Sequence, residues 1–398
     1  MSIIRKENIL IPESCELEKW SVVACDQYTS QADYWERVTE FVGKSPSTLN
    51  LVYPEAYLSQ GDKRIEKINA TMKEYLEKNV FKTYKDCCIY VERTLSDNRV
   101  RKGVVASVDL DEYDFNKGSK SAIRATEGTV LERIPPRVKI REQAPLELPH
   151  IMLLVDDKSC TLIENVKKGE KIYDFELMEN GGHLAGWLVE DADAFIEAVD
   201  EFSLKAKDGL VFAVGDGNHS LATAKTCWEN IKPTLSDEEI KTHPARFCLV
   251  EIENIHDTVL EFEPIHRVVF GVREDDFLEK LKKDLDCGEP SNTSQHIVYV
   301  NNGQKTDLYI KKASSPLEVG TLQGYLDTLG YEVDYIHGDD VVCELSKESG
   351  TVGFLLPVPE KDSLFETVIA DGALPRKTFS MGEANEKRFY MEAKKIIK

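Results

Sequence analysis

The chain has no long hydrophobic run. Nothing in it approaches the roughly 20 apolar residues that cross a bilayer, and its opening Met1-Ser2-Ile3-Ile4-Arg5-Lys6-Glu7-Asn8 lacks the apolar stretch of a secretion signal, so no membrane partner is expected. It is also short of positive charge: 50 Lys and Arg face 71 Asp and Glu, a formal net charge of −21. That balance argues against nucleic acid as a general partner, because a phosphate backbone demands a basic surface. Nine cysteines are scattered with no Cys-x-x-Cys, which removes a zinc ribbon or a thioredoxin-like site and leaves reduced, half-buried thiols. There is no internal repeat and no low-complexity tract. What remains is a cytoplasmic globular protein, 41% hydrophobic and 30% charged, whose 398 residues exceed one comfortable core.

The rest is organised around Leu210-Val211-Phe212-Ala213-Val214-Gly215-Asp216-Gly217-Asn218-His219-Ser220, followed by the small-residue stretch to Trp228. The apolar half predicts a buried strand and the Ala-rich half a packed helix. A strand breaking into a helix through Gly215-Asp216-Gly217 leaves backbone N–H groups pointing outward, an anion site in the making. The same residues are also ordinary turn and cap chemistry. His219 favours the ligand reading, because an imidazole at a helix start can donate, accept or carry a proton near neutral pH.

Upstream, Trp20 to Ser30 reads as a short strand ending in polar residues before a helix at Gln31–Val42, which would place Asp26 either at a cleft or in a structural turn. Residues 65–78 predict an amphipathic helix, and two strands flank the turn Asp97-Asn98-Arg99. Arg124, Glu127, Arg133, Arg137, Lys139 and Arg141 crowd a segment broken by Pro135-Pro136. Such runs are usually solvated faces, yet this is the densest guanidinium cluster available to a phosphate. The strand His150–Val155 ends on Asp156-Asp157, carboxylates that can hold Mg2+ or start a turn. Further strands are expected at Phe247–Ile252 and Phe262–Phe270. A boundary near 271 divides a larger N-terminal α/β domain, 1–270, from a smaller α+β domain, 271–398, which closes on a charged C-terminal helix. The fold class is α+β, with mixed sheets.

Several of these stretches together resemble the uncharacterised prokaryotic family catalogued as domain of unknown function 1015. Its hallmark, a strand leading into Asp-Gly-His-His-Arg and then a Thr-Ala pair, is matched by Asp216-Gly217-Asn218-His219-Ser220 and Thr223-Ala224. Ala122 to Thr129 with Arg133, Asp156-Asp157, Pro264-Ile265-His266-Arg267, Tyr335-Ile336-His337 and Pro375-Arg376-Lys377-Thr378 extend the resemblance along most of the chain. The motif is also similar to the phosphate-gripping turn of the ParB/sulfiredoxin-type nucleotide-binding fold, some of whose members phosphorylate free serine. This chain departs from both at one place: Ser220 stands where the motif has arginine, and Asn218 where it has histidine. Either another cation takes its place, with Arg124, Arg133, Arg137, His266-Arg267 and Lys377 as candidates, or the nucleotide reading fails for this chain.

Two functions from different classes follow. One is a small-molecule phosphotransferase using ATP or ADP with Mg2+: Gly215, Gly217, Asn218 and Ser220 cradle phosphate, Arg124 and Arg133 clamp it beside Glu127, Asp156 or Asp26 holds the metal, and Asp216 or His219 is the base. The other is a non-catalytic binding or regulatory protein that keeps the cleft. A hydrolase built on Cys25 ranks last, since no nucleophile motif surrounds it.

Overall fold

In the computed structural model, residues 2–29, 31–128, 134–375 and 377–397 are described, apart from the Asp275 side chain. The chain forms two units: Met1–Leu260 together with Glu383–Lys398, and Glu261–Gly382. The division therefore falls about ten residues before the expected 271, and the final segment returns to the first unit. The chain is mixed α and β as expected, and among the described residues no helix is long and apolar enough to cross a membrane.

The first unit is built on a ten-stranded sheet. Its strands are β1 (Ile4–Arg5), β2 (Ile89–Thr94), β3 (Val100–Asp109), β4 (Tyr113–Asp114), β5 (Ile123–Ala125), β6 (Met152–Val155), β7 (Lys168–Leu177), β8 (Gly182–Val189), β9 (Phe212–Asp216) and β10 (Phe247–Asn254). They run β7-β8-β2-β3-β10-β6-β9-β5-β4, with β1 on β3. The β7–β8 hairpin has little sequence signal; β7 is mostly exposed and polar, so its apolar alternation is weak. The central strand shows the opposite extreme. Phe212, Ala213 and Val214 are fully buried on both faces, which is why the stretch reads as a continuous apolar run.

Strand β9 lies between β5, parallel to it, and β6, antiparallel to it, with Phe212 opposite Val155 and Asp216 opposite Met152. The register slips between Val214 and Asp216, so Gly215 sits in a bulge that re-aims the end of the strand. The helix Asn218–Ile231 follows at once and buries Leu221, Ala222, Ala224 and Trp228. The Ile134–Arg141 helix packs against it.

Two elements differ from expectation. Among the described residues, those from Trp20 to Thr29 form no strand: Leu17–Trp20 is a single helical turn, and only Val23 makes a bridge, to Phe389. Nor is the C-terminus a charged helix. From Lys387 the chain runs extended into the core, the Tyr390 amide donating to Val22 O at 2.9 Å and the Ala393 amide to Leu10 O at 3.0 Å. The reason is that Phe389, Tyr390, Met391 and Ala393 are almost wholly buried, more apolar side than one helical face could hide.

The second unit centres on a six-stranded sheet that includes His266–Phe270, Gln295–Asn301 and Thr351–Leu355. Its helices include Glu274–Asp284 and Glu318–Asp327.

Candidate functional site

The turn from β9 into the Asn218 helix depends on Gly217, which is left-handed at φ 81 and lies so close to β6 that a Cβ would come within 3.0 Å of Ile151 Cα. The Gly217 amide donates to Asp216 Oδ1 at 2.8 Å. Asn218 ties the turn to the end of β5: its Oδ1 accepts from the Thr126 amide at 3.2 Å and its Nδ2 donates to Thr126 Oγ1 at 3.2 Å. The Thr126 hydroxyl in turn donates to Val214 O at 2.6 Å. Among the described residues the amides of Asn218 and Ser220 have no acceptor. They are first-turn donors left for an outside partner.

Around this turn gather residues from three distant parts of the chain. His150 enters from the loop before β6 and is 5% exposed; its Nε2 is 3.1 Å from Ser220 Oγ and 3.9 Å from Asp26 Oδ2. Its Nδ1 is 2.8 Å from the Tyr390 hydroxyl, which also accepts from the Cys25 amide at 3.2 Å. Lys387, 7% exposed, places Nζ 3.4 Å from Asp216 Oδ2. Burial raises the Asp26 carboxyl, but the charge of His150, the Gln27 amide and the charge of Lys387 outweigh it and hold it below its ordinary value. Asp26 is therefore ionised at neutral pH. Cys25 is no nucleophile, because burial and the Asp26 charge push its thiol up to about 12.

Behind His150 and Ser220 opens a cavity of about 420 Å3, within the first unit, whose lining includes Leu51, Met72, Ile140, Leu146 and Tyr390. Arg137, one of the candidates to replace the missing motif arginine, lines it but is paired with Glu55.

The other expected ligands are placed elsewhere. Arg124 is buried at the opposite end of β9, with its guanidinium turned to residues 121 and 208: Nε donates to Ser121 O at 2.9 Å, and the two terminal nitrogens to Asp208 Oδ2 at 3.0 Å and Asp208 O at 2.6 Å. Asp156 also lies at that far end, where it pairs with His256 Nε2 at 2.6 Å. Among the described residues no group of three His, Cys, Asp or Glu is placed to hold a metal. Glu127 lies just beyond β5, on the same edge of the sheet as the turn. Arg133 lies outside the described residues. His266, Arg267 and Lys377 belong to the second unit. His266 accepts from the Leu356 amide at 3.1 Å and meets Asp339 at 3.0 Å, while burial leads the effects that lower its pKa. Arg267 is fully buried, donates to Gln323 Oε1 at 2.7 Å and Ile265 O at 2.6 Å, and stacks on Tyr335. Both are satisfied core residues. His219 stands at the turn as expected, its carbonyl accepting from Thr223 Oγ1 at 2.7 Å.

Sequence reasoning misses His150, Lys387 and Tyr390 as site residues. The adjacent Lys387-Arg388, then aromatic Phe389-Tyr390, is the one visible signal, a basic pair beside apolar residues in an acidic chain.

Fold and site together define an α+β protein with a polar site where a central strand of a mixed sheet turns into a helix. The chain belongs to the family described as "Protein of unknown function (DUF1015)", whose match spans residues 11–329. No curated protein matches it. Solved structures with partial similarity include SbnI with C-terminal truncation from Staphylococcus aureus, at 13% identity and TM-score 0.39 over 70% of this chain and 82% of that one. A conserved hypothetical protein from Pyrococcus furiosus shows 10% identity and TM-score 0.36 over 72% and 90%. A free serine kinase in complex with AMP shows 12% identity and TM-score 0.40 over 74% and 91%.

Proposed function

We propose that this protein is a nucleotide-dependent phosphotransferase that acts on the hydroxyl of a small molecule. The observation that carries the reading is the buried Lys387 ammonium beside Asp216, next to the acceptor-less amides of Asn218 and Ser220. A charged donor and two helix-end N–H groups are the parts that phosphate oxygens require, and here a lysine from the C-terminal segment takes the place of the missing motif arginine. A nucleoside triphosphate supplies the phosphoryl group when bound, with Mg2+ neutralising its oxygens; Asp26 and Asp216 are the carboxylates within this cluster suited to that ion.

His150 is the base that takes the proton of the acceptor hydroxyl at Nε2. Tyr390 holds the ring in the required tautomer. With the Tyr390 oxygen accepting from Nδ1–H, as it does from the Cys25 amide, the Nε2 lone pair faces Ser220. Asp26, ionised and 3.9 Å from Nε2, stabilises the imidazolium that forms.

A thermal-shift series with ATP, ADP and inorganic phosphate, each with Mg2+, tests the reading, because a ligand that prefers the native state must raise its stability. ATP and ADP are expected to shift the midpoint upward, and ATP to be turned over slowly when alcohols are supplied. Stabilisation without any turnover favours the binding-protein alternative, which Ser220 in place of arginine and the diverted Arg124 support. No shift with any nucleotide ends the phosphotransferase reading.

A further inference from the structure

The cavity behind His150 differs in kind from the turn in front of it. Its walls are Leu51, Met72, Ile140, Leu146 and Leu148, and its polar end is formed by His150, Ser220 and the Tyr390 hydroxyl. At about 420 Å3 it falls in the range of small-molecule sites, roughly 300–1,000 Å3. Two guanidinium groups line it, and each is already matched by a carboxylate in the same lining: Arg137 by Glu55, and Arg141 by the buried Glu147. Among the described residues the lining therefore carries two positive and two negative charges, each already beside an opposite one, and a ligand charge placed among the leucines would lose its hydration without a counter-ion of its own.

We infer that this cavity is the acceptor subsite and that the acceptor is an uncharged molecule with an apolar body and a hydroxyl at one end. The inference rests on the phosphotransferase reading above and adds the substrate class to it. The hydroxyl end reaches Nε2 of His150, and the body lies between Met72 and Leu146. In the transfer step the acceptor oxygen attacks the terminal phosphorus of a nucleoside triphosphate. The bond from that phosphorus to the bridging oxygen breaks, the nucleoside diphosphate leaves with the electron pair, and the hydroxyl proton passes to His150. An amino-acid acceptor would bring its own ammonium and carboxylate into a wall whose charges, among the described residues, already have partners, so free amino acids are not the preferred substrate.

Benzyl alcohol and 4-(hydroxymethyl)benzoate, which differ by a carboxylate at the end remote from the hydroxyl, are the probes, and the uncharged 4-(hydroxymethyl)benzamide, expected to bind better than the benzoate, separates charge from size. In ligand-observed NMR with the full chain, benzyl alcohol is expected to bind and the benzoate to bind at least tenfold more weakly. Equal or tighter binding of the benzoate overturns the inference. Two cavity-filling variants localise the site: Ala144→Phe in the wall and, as a replacement at an exposed position that leaves the core intact, Leu58→Trp. Each should weaken benzyl alcohol at least fivefold and leave the ATP-induced thermal shift unchanged. Loss of the ATP shift in both, with benzyl alcohol unaffected, assigns the cavity to the nucleotide and overturns the acceptor role while the phosphotransferase reading stands. Failure of benzyl alcohol to bind a protein that ATP still stabilises overturns the acceptor subsite alone. Absence of any ATP shift in the parent protein overturns the reading beneath it, and the acceptor role with it.

Discussion

The Tyr390 hydroxyl lies 2.8 Å from Nδ1 of His150, although the two residues are 240 positions apart in the chain. The C-terminal segment thus does more than fill the core of the first unit: it brings Tyr390 and Lys387 to a turn formed by residues 216–220. Tyr390→Phe keeps the ring and removes the partner of Nδ1. Turnover should fall about tenfold or more, in line with what a positioned base contributes, while KM for ATP stays within about twofold. Replacing the hydroxyl with no change in kcat, or with a change confined to KM, would remove Tyr390 from the mechanism.

Lys387→Met should abolish most of the nucleotide-induced thermal shift. A hydrogen bond to a charged group contributes about 1.5–3 kcal/mol, so the Kd for ADP should rise roughly 10- to 150-fold. Lys387→Arg should recover part of that affinity, since the charge is kept and only its reach changes. An unchanged Kd in Lys387→Met contradicts the compensation argued for the missing motif arginine.

Arg124→Ala separates a structural role from a ligand role. It removes a buried guanidinium that serves two backbone carbonyls and the Asp208 carboxylate and fills the space beneath them. Chemical denaturation should show lower stability, while ADP affinity, measured on the folded fraction, should be unchanged. A specific loss of ADP binding with stability intact would restore Arg124 as a clamp.

A buried ion cluster predicts a pH dependence. Burial and the Glu251 charge outweigh Arg101 and raise Glu253 to about 8, whereas Glu251, though burial raises it, is held low by Arg388 and Arg101. A carboxyl raised on folding keeps its proton in the native state after the unfolded chain has lost its own, so stability falls as pH rises from about 4.5 toward 8. Glu251 acts in the opposite sense, with its contribution lost as pH falls below that range. Glu253→Gln should therefore flatten the decline, raising the melting temperature at pH 8 relative to pH 5 by at least roughly 2–4 °C. A variant whose Tm changes equally at both pH values would contradict the proton assignment.

Legibility from the sequence follows the kind of signal. The strand, turn and helix around Asp216 are readable because a doubly buried strand is continuously apolar and glycine marks the turn. The same logic misleads at Asp156. A strand that ends on acids predicts their delivery to the cleft, but β6 runs antiparallel to β9, so it presents its beginning, His150, and carries Asp156 away. Strand direction is a property of pairing and leaves no trace in an isolated apolar run. Lys387 and Tyr390 are hidden for a related reason: their segment makes few local contacts, and its partners Val22, Ala24 and Leu10 lie at the other end of the chain. Of the arginines between 124 and 141, Arg124, Arg137 and Arg141 are paired with Asp208, Glu55 and Glu147 rather than turned to a shared anion.

The most direct test of the phosphate site is an amide-detected NMR titration of the full chain with ADP and Mg2+. The largest shifts are expected at the Asn218 and Ser220 amides, saturating together with a shift of the Lys387 side chain. Saturable shifts that leave those two amides unmoved, or none at any ADP concentration, would contradict a phosphate site at this turn.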